Sequence, residues 1–131
     1  MDVSRSPREP VRGPADSFTG EVNLEQLVVP GEPAHVRMAH VHFSPGARTA
    51  WHSHPFGQVL FVTQGRGRVQ HRGGPVESIS AGDSVCTQPG EWHWHGAAPD
   101  TAMSHIAVQE VGPDGASAIW GDHVIDAEYG M

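Results

Sequence analysis

At 131 residues and a formal net charge of −7, the chain is large enough for one domain with a proper core and too acidic to pair with nucleic-acid phosphates. Eleven prolines, sixteen glycines and only 18% charged residues favour short strands and many turns over long helices. A single cysteine excludes an intrachain disulfide and a Cys-based zinc finger, and no apolar run reaches membrane-spanning length, so a cytoplasmic location is expected.

Residues 1–14, spiked with Pro and Arg and lacking an apolar stretch, read as a flexible arm rather than a secretory signal. Residues 15–131 read as one domain. The first strand, 22–29, runs into the turn signal Pro30-Gly31. Residues 34–43 alternate, with Ala39, Val41 and Phe43 on one face and His40 and His42 on the other. Ser44-Pro45-Gly46 then turns the chain into the segment carrying His52 and His54. Residues 58–63 form a continuous apolar run, the pattern of a strand buried on both faces. Gln64-Gly65-Arg66-Gly67 reads as a turn, 68–72 as a strand, and Gly73-Gly74-Pro75 as its end. Strands at 76–80, 84–87 and 92–96 follow, separated by turns at Gly82 and at Pro89-Gly90. The last long strand, 101–111, puts His105, Ala107 and Gln109 on one face and Ile106 and Val108 on the other. Residues 118–129 have room for one helical turn. Strands of this length and spacing predict an all-β sandwich or barrel.

Histidine placement carries the functional signal. Ten histidines at random would give about one His-x-His pair, yet three occur: His40/His42, His52/His54 and His93/His95. On a strand, His52 and His54 point to one face. Pro55-Phe56-Gly57 breaks that strand, and Gln58 opens the next with a neutral carbonyl oxygen. With His93 they form a candidate set of three imidazoles and one oxygen, which suits Mn, Fe, Ni, Cu or Zn. His40 and His42 are read as an outer-face or dimer-contact pair, and His35, His71 and His123 as surface residues. Trp51, Trp92 and Trp94 are expected to pack in the sheet or at a subunit contact, and Phe18, Trp120 and Cys86 in the core. Arg48 is read as a surface ion pair.

These residues resemble the cupin family. Gly46, His52, His54, Gln58 and Gly65 fall in register with its first motif, Gln58 standing where Glu is usual. Gly82, Gly90 and His93 fall in register with its second, with Gln88 where Pro is usual and Ala97 where Asn is usual. The resemblance implies a cupin-type jelly-roll β-barrel, the double-stranded β-helix, with an ion bound inside. Gly13-Pro-Ala-Asp-Ser-Phe-Thr-Gly20, Pro45-Gly-Ala-Arg-Thr-Ala-Trp-His-Ser-His54, Pro89-Gly-Glu-Trp-His-Trp-His-Gly-Ala-Ala-Pro99 and Thr101-Ala-Met-Ser-His105 are similar to the small bacterial cupins that include manganese-dependent hydroxynitrile lyases. That likeness implies His52, His54, Gln58 and His93 as ligands of a divalent metal, Mn2+ first, with Fe2+, Zn2+, Ni2+ or Cu2+ as alternatives. It also implies that Thr49, His95, His105 and Gln109 line the substrate side, with Ala39, Val41 and Leu60 as apolar wall.

The expected activity is a metal-dependent lyase that breaks a carbon–carbon bond next to a hydroxyl, as in cleaving a cyanohydrin to an aldehyde or ketone and HCN. A small-molecule substrate is the expected partner. Four neutral ligands leave the ion its full charge, which strengthens Lewis acidity. His105 is the first choice as base, His95 the second, and Thr49 orients the substrate oxygen. The alternatives are a cupin non-haem metal oxygenase or isomerase, which usually takes a carboxylate ligand that Gln58 does not supply, and a non-catalytic metal-binding cupin. The resemblance also implies a homodimer or homotetramer, with the Phe18-Thr19-Gly20 region adding a strand across the subunit contact.

Overall fold

The computed structural model describes residues 1–29, 31, 35–115 and 117–130; Pro30 and Ala34, where a turn and a strand start are expected, lie outside them. Twelve strands run through the described residues: β1 (Val11–Arg12), β2 (Phe18–Thr19), β3 (Val22–Val28), β4 (Val36–Phe43), β5 (Arg48–Thr49), β6 (His52–Ser53), β7 (Gln58–His71), β8 (Glu77–Ser80), β9 (Ser84–Thr87), β10 (His93–Ala97), β11 (Met103–Glu110) and β12 (Ile119–Trp120). One helical turn, α1 (Asp126–Tyr129), follows. No helix among the described residues is long and apolar enough to cross a membrane. The strands are antiparallel and curl in the order β1-β3-β4-β11-β7-β10-β5-β2, with β8 and β9 on β7, and β6 joining β10 to β12. This is the jelly-roll barrel that the motifs predict.

Two expectations are corrected in β7. Gln64–Gly67 is not a turn, because residues 58–71 form one continuous strand. Its first half pairs with β11 and β9, its second half with β8 and β10, so β7 carries the chain from one sheet to the other. Gly65 sits at that corner with φ +77°, a left-handed conformation that glycine takes without strain. A β-carbon there would lie 1.9 Å from the carbonyl oxygen of Ala102, the residue just before β11. The 58–63 run is also not buried on both faces. Gln58, Leu60 and Val62 point inward, while Val59 and Phe61 are about half exposed. An apolar residue on the outer face of a sheet looks identical in sequence to one in a core.

The interior is built from the inward positions of facing strands. Val22, Ala39, Val41, Phe43, Val62, Val69 and Met103 lie in one buried cluster. Trp51, Trp94, Val124 and Tyr129 form a second, against which Trp92 packs. Trp94 stacks on Tyr129 at 5.6 Å. Arg48 belongs to this region and is only 4% exposed, not a surface residue. Its guanidinium donates to the Val124 carbonyl, pairs with Asp126 at 2.9 Å and lies 4.5 Å over the Tyr129 ring. The C-terminal segment is thereby fastened across the barrel. Cys86 is exposed rather than core, because β9 turns it to the outer face. Val11–Arg12, within the segment read as an arm, pairs with Leu24 and Asn23 of β3. Phe18–Thr19 pairs with Thr49 and Arg48 of β5.

Gly65→Ala is expected to cost clearly more than the ~1–3 kcal/mol of a left-handed non-glycine residue, since the Ala102 backbone must also move. Gly73→Ala, at φ +86° with open space around it, should cost only that conformational part. Urea midpoints of the two variants check the order, and equal loss would contradict a corner role for Gly65.

Candidate metal centre

Strand pairing assembles a histidine cluster that chain order keeps apart. His52 of β6 lies directly opposite His93 of β10, and their ring centroids are 4.3 Å apart. His54 follows two residues after His52, with ring distances of 4.9 Å to His52 and 5.5 Å to His93. Gln58, first residue of β7, places its Oε1 3.1 Å from His93 Nε2. All four side chains are buried.

Their hydrogen bonds decide which ring atoms are available. His52 Nδ1 lies 2.9 Å from the Ala50 carbonyl and His93 Nδ1 2.9 Å from the Glu91 carbonyl. His54 Nδ1 bonds the Ser117 carbonyl. A carbonyl only accepts, so each Nδ1 carries the hydrogen and each Nε2 keeps a bare lone pair. His54 Nε2 is buried without a hydrogen-bond partner. The Gln58 amide nitrogen donates to Gln109 Oε1 at 3.1 Å, which turns its carbonyl oxygen toward the lone pair on His93. Buried acceptors facing one another repel unless a cation lies between them. This donor set fits a divalent ion, and the carbonyls play the part that outer partners of metal-bound histidines usually play.

His95 stands beside this group. One ligand atom from each of His52, His93 and His95 lies within 4.8 Å of the other two. The His95 ring differs from the others in its bonds: its Nδ1 is 2.9 Å from His105 Nε2, and its own Nε2 is buried and unpartnered. His105, on β11 opposite Val41 and Val62, also has a buried, unpartnered Nδ1. Thr49 Oγ1 accepts from the His95 backbone N–H at 3.2 Å, leaving its own hydroxyl hydrogen available.

A cavity of about 430 Å³ opens onto these groups. His52, His54, Gln58, Thr49, His95, His105 and Gln109 line it, with Ala39, Val41 and Ala107 as apolar wall. Leu60 is fully buried and is not among the lining residues. No carboxylate lines the cavity among the described residues. Burial pushes the pKa of His52 and His95 well below the ordinary histidine range, lowers that of His54, and brings His93 to about 4 and His105 to about 3. Neighbouring imidazoles add to the effect at His52 and His95. All five rings are therefore neutral at pH 7.

Two contributions escaped the sequence reading. Trp120, expected in the core, is 44% exposed and lines the cavity, its ring 4.7 Å from that of His52. The short β12 ladder on β6 brings it there. Ser117 acts through its main-chain carbonyl, for which side-chain patterns carry no signal.

Comparison with known proteins agrees with this geometry. The family profile described as Cupin domain matches residues 39–109. A protein of Granulicella tundricola named (R)-mandelonitrile lyase is 55% identical over 118 residues, covering 90% of this chain and 89% of that one. A crystal structure of a cupin-like protein from Thermotoga maritima superposes with a TM-score of 0.87 at 40% identity, covering 97% of this chain and 95% of that one. Another T. maritima structure, a predicted oxalate decarboxylase, gives a TM-score of 0.72 at 26% identity, covering 82% and 96%. With both motifs on facing strands around one cavity, the chain belongs to the cupin family.

Proposed function

We propose that this protein is a metal-dependent lyase that cleaves a cyanohydrin to an aldehyde or ketone and HCN, and in reverse adds cyanide to the carbonyl. The observation that carries the reading is a neutral, carboxylate-free donor set beside a buried imidazole with an unpartnered nitrogen, His95 Nε2. The name of the G. tundricola relative supports the substrate class.

His52, His54, Gln58 and His93 would hold the ion, which we take to be Mn2+, although the donor set also suits Fe2+, Zn2+, Ni2+ and Cu2+. Bound there, it supplies Lewis acidity toward the substrate oxygen or the departing cyanide. The chain's residues move the proton. In the productive tautomer His95 Nδ1–H donates to His105 Nε2, which leaves His95 Nε2 free to take the cyanohydrin hydroxyl proton. The O–H electron pair becomes the carbonyl double bond, and the electrons of the carbon–carbon bond leave with cyanide. His95 then returns the proton to give HCN. His105, expected first as the base, stands behind His95 in this reading, orienting it and spreading the positive charge, because it is His95 that has a ring nitrogen within 4.8 Å of those of His52 and His93. Thr49 donates its hydroxyl hydrogen to the substrate oxygen, and Ala39 and Val41 receive the apolar substituent. Gln109 holds Gln58 in its carbonyl-inward orientation.

Mn2+-loaded protein should release benzaldehyde from racemic mandelonitrile; tightly bound Mn2+ without turnover of any cyanohydrin would sink the reading. His52→Ala should lose the metal, and unchanged metal content would overturn the site itself. His95→Gln should lower kcat by ~10²–10⁴-fold with metal content intact. Loss of the metal as well would make His95 a ligand instead of the base.

The pH dependence has a definite sign. The five buried histidines have pKa values below 6.5 when folded, so the unfolded chain binds more protons on acidification. Their contribution to stability is present above pH 6.5 and is lost as pH falls toward about 4, where His93 titrates, and about 3, where His105 does. Stability of the metal-free protein should be flat above pH 7. Below pH 6.5 it should fall more steeply than the ~1.4 kcal/mol per pH unit of a single histidine. Denaturant melts across this range test it, and a slope no steeper than one proton would contradict the shared burial.

A further inference from the structure

We propose that Glu25, His40 and His42 form a second divalent-metal site, on the outer face of the sheet and separate from the cavity. One ligand atom from each lies within 4.8 Å of the other two. The placement follows from strand geometry. His40 and His42 stand two apart on β4, so both rings leave the same face, with centroids 4.3 Å apart. Glu25 on β3 lies directly across from His40. Ala39, Val41 and Phe43 take the alternate positions and are buried, which puts the trio on the opposite side of the sheet from the cavity.

Hydroxyls hold each ring by one nitrogen. Thr63 Oγ1 donates its hydrogen to the Ser104 carbonyl at 3.2 Å. It must therefore accept from His40 Nε2–H at 2.9 Å, which leaves His40 Nδ1 as a bare lone pair. His42 Nδ1 is 2.8 Å from Ser104 Oγ, and His42 Nε2 is 2.6 Å from Glu25 Oε1. The Ser104 hydroxyl can donate to His42 Nδ1 or accept from it. The contact with Glu25 places the ring hydrogen on Nε2, so an ion binds Nε2 when that hydrogen moves to Nδ1 and the Ser104 hydroxyl turns to accept it, a change of tautomer with no net release of a proton from the neutral ring. Two imidazoles and one carboxylate are a donor set that zinc uses with one open position. Tetrahedral donors about 2.0–2.1 Å from zinc lie ~3.3 Å apart, so closing the trio onto an ion needs shifts of roughly an ångström in half-buried side chains. The residues that fix the rings, Thr63 and Ser104, lie on β7 and β11, so an ion here would tie together four neighbouring strands.

Equilibrium dialysis against Zn2+ with elemental analysis tests the proposal on the full chain. Wild type is expected to bind two equivalents. The His40→Ala/His42→Ala double variant should bind one and the His52→Ala/His93→Ala variant should keep the outer one. Glu25→Gln, which preserves the fold's hydrogen-bonding shape, should weaken the second equivalent at least tenfold while leaving the first unchanged. Zinc binding that the outer substitutions leave unchanged, whether one equivalent or two, would overturn the site and leave the trio as a hydrogen-bonded staple between β3 and β4. Retention of the first equivalent and a native circular-dichroism spectrum certify that a variant has folded.

Discussion

Five imidazoles share the interior of this small barrel, and burial holds each of them in its neutral form. A protonated histidine there has no carboxylate beside it among the residues that line the cavity, so charging one costs stability. Neutrality in turn dictates where each ring hydrogen goes. The main-chain carbonyls at Ala50, Glu91 and Ser117 take the Nδ1 hydrogens of His52, His93 and His54. What remains is a concentration of lone pairs that a cation can bring together. The fit to a divalent ion follows from that one arrangement.

Ala50 and Glu91 lie two residues before the histidines they hold, but Ser117 lies 63 residues from His54, so the site depends on long-range packing. Ser117 is held in place where β12 pairs with β6, and the segment beyond it is anchored by Arg48 and Tyr129. Arg48 reaches Val124 and Asp126, and the Tyr129 hydroxyl donates to the Ala97 carbonyl on β10. This C-terminal fastening therefore braces the strands that carry both halves of the histidine cluster. Burying a guanidinium is tolerable because its N–H groups are spread over carbonyls, a carboxylate and an aromatic face.

Alternation on β4 and β11 gives the sheet two chemically different sides. The inward positions, Ala39 and Val41 with His105 and Ala107, shape the cavity. The outward ones place His40 and His42 against Ser104 and Thr63. The two histidine pairs are alike in sequence, since each is a bare His-x-His. Parity assigns them to faces, but parity does not say which face is the interior. The Gly46 and Gly65 framing of the first motif resolves that, because it places the strand break and Gln58 beside His52 and His54.

Strand positions, the turn glycines and the barrel class were legible in the chain because local periodicity and turn chemistry produce them. The His52, His54, Gln58 and His93 grouping was legible because two motifs share one register. Several features were decided only by tertiary structure. β7 runs through Gly65 as one strand because two different sheets claim its halves, and no local pattern distinguishes such a corner from a turn. Trp120 lines the cavity and Arg48 is buried because distant segments pack on them. The contact between His95 and His105 joins residues whose strands are not paired with each other. Side-chain periodicity records which face a residue takes; the partner that face meets, and the distant Ser117 carbonyl that holds the His54 ring, come into place only once the barrel has closed.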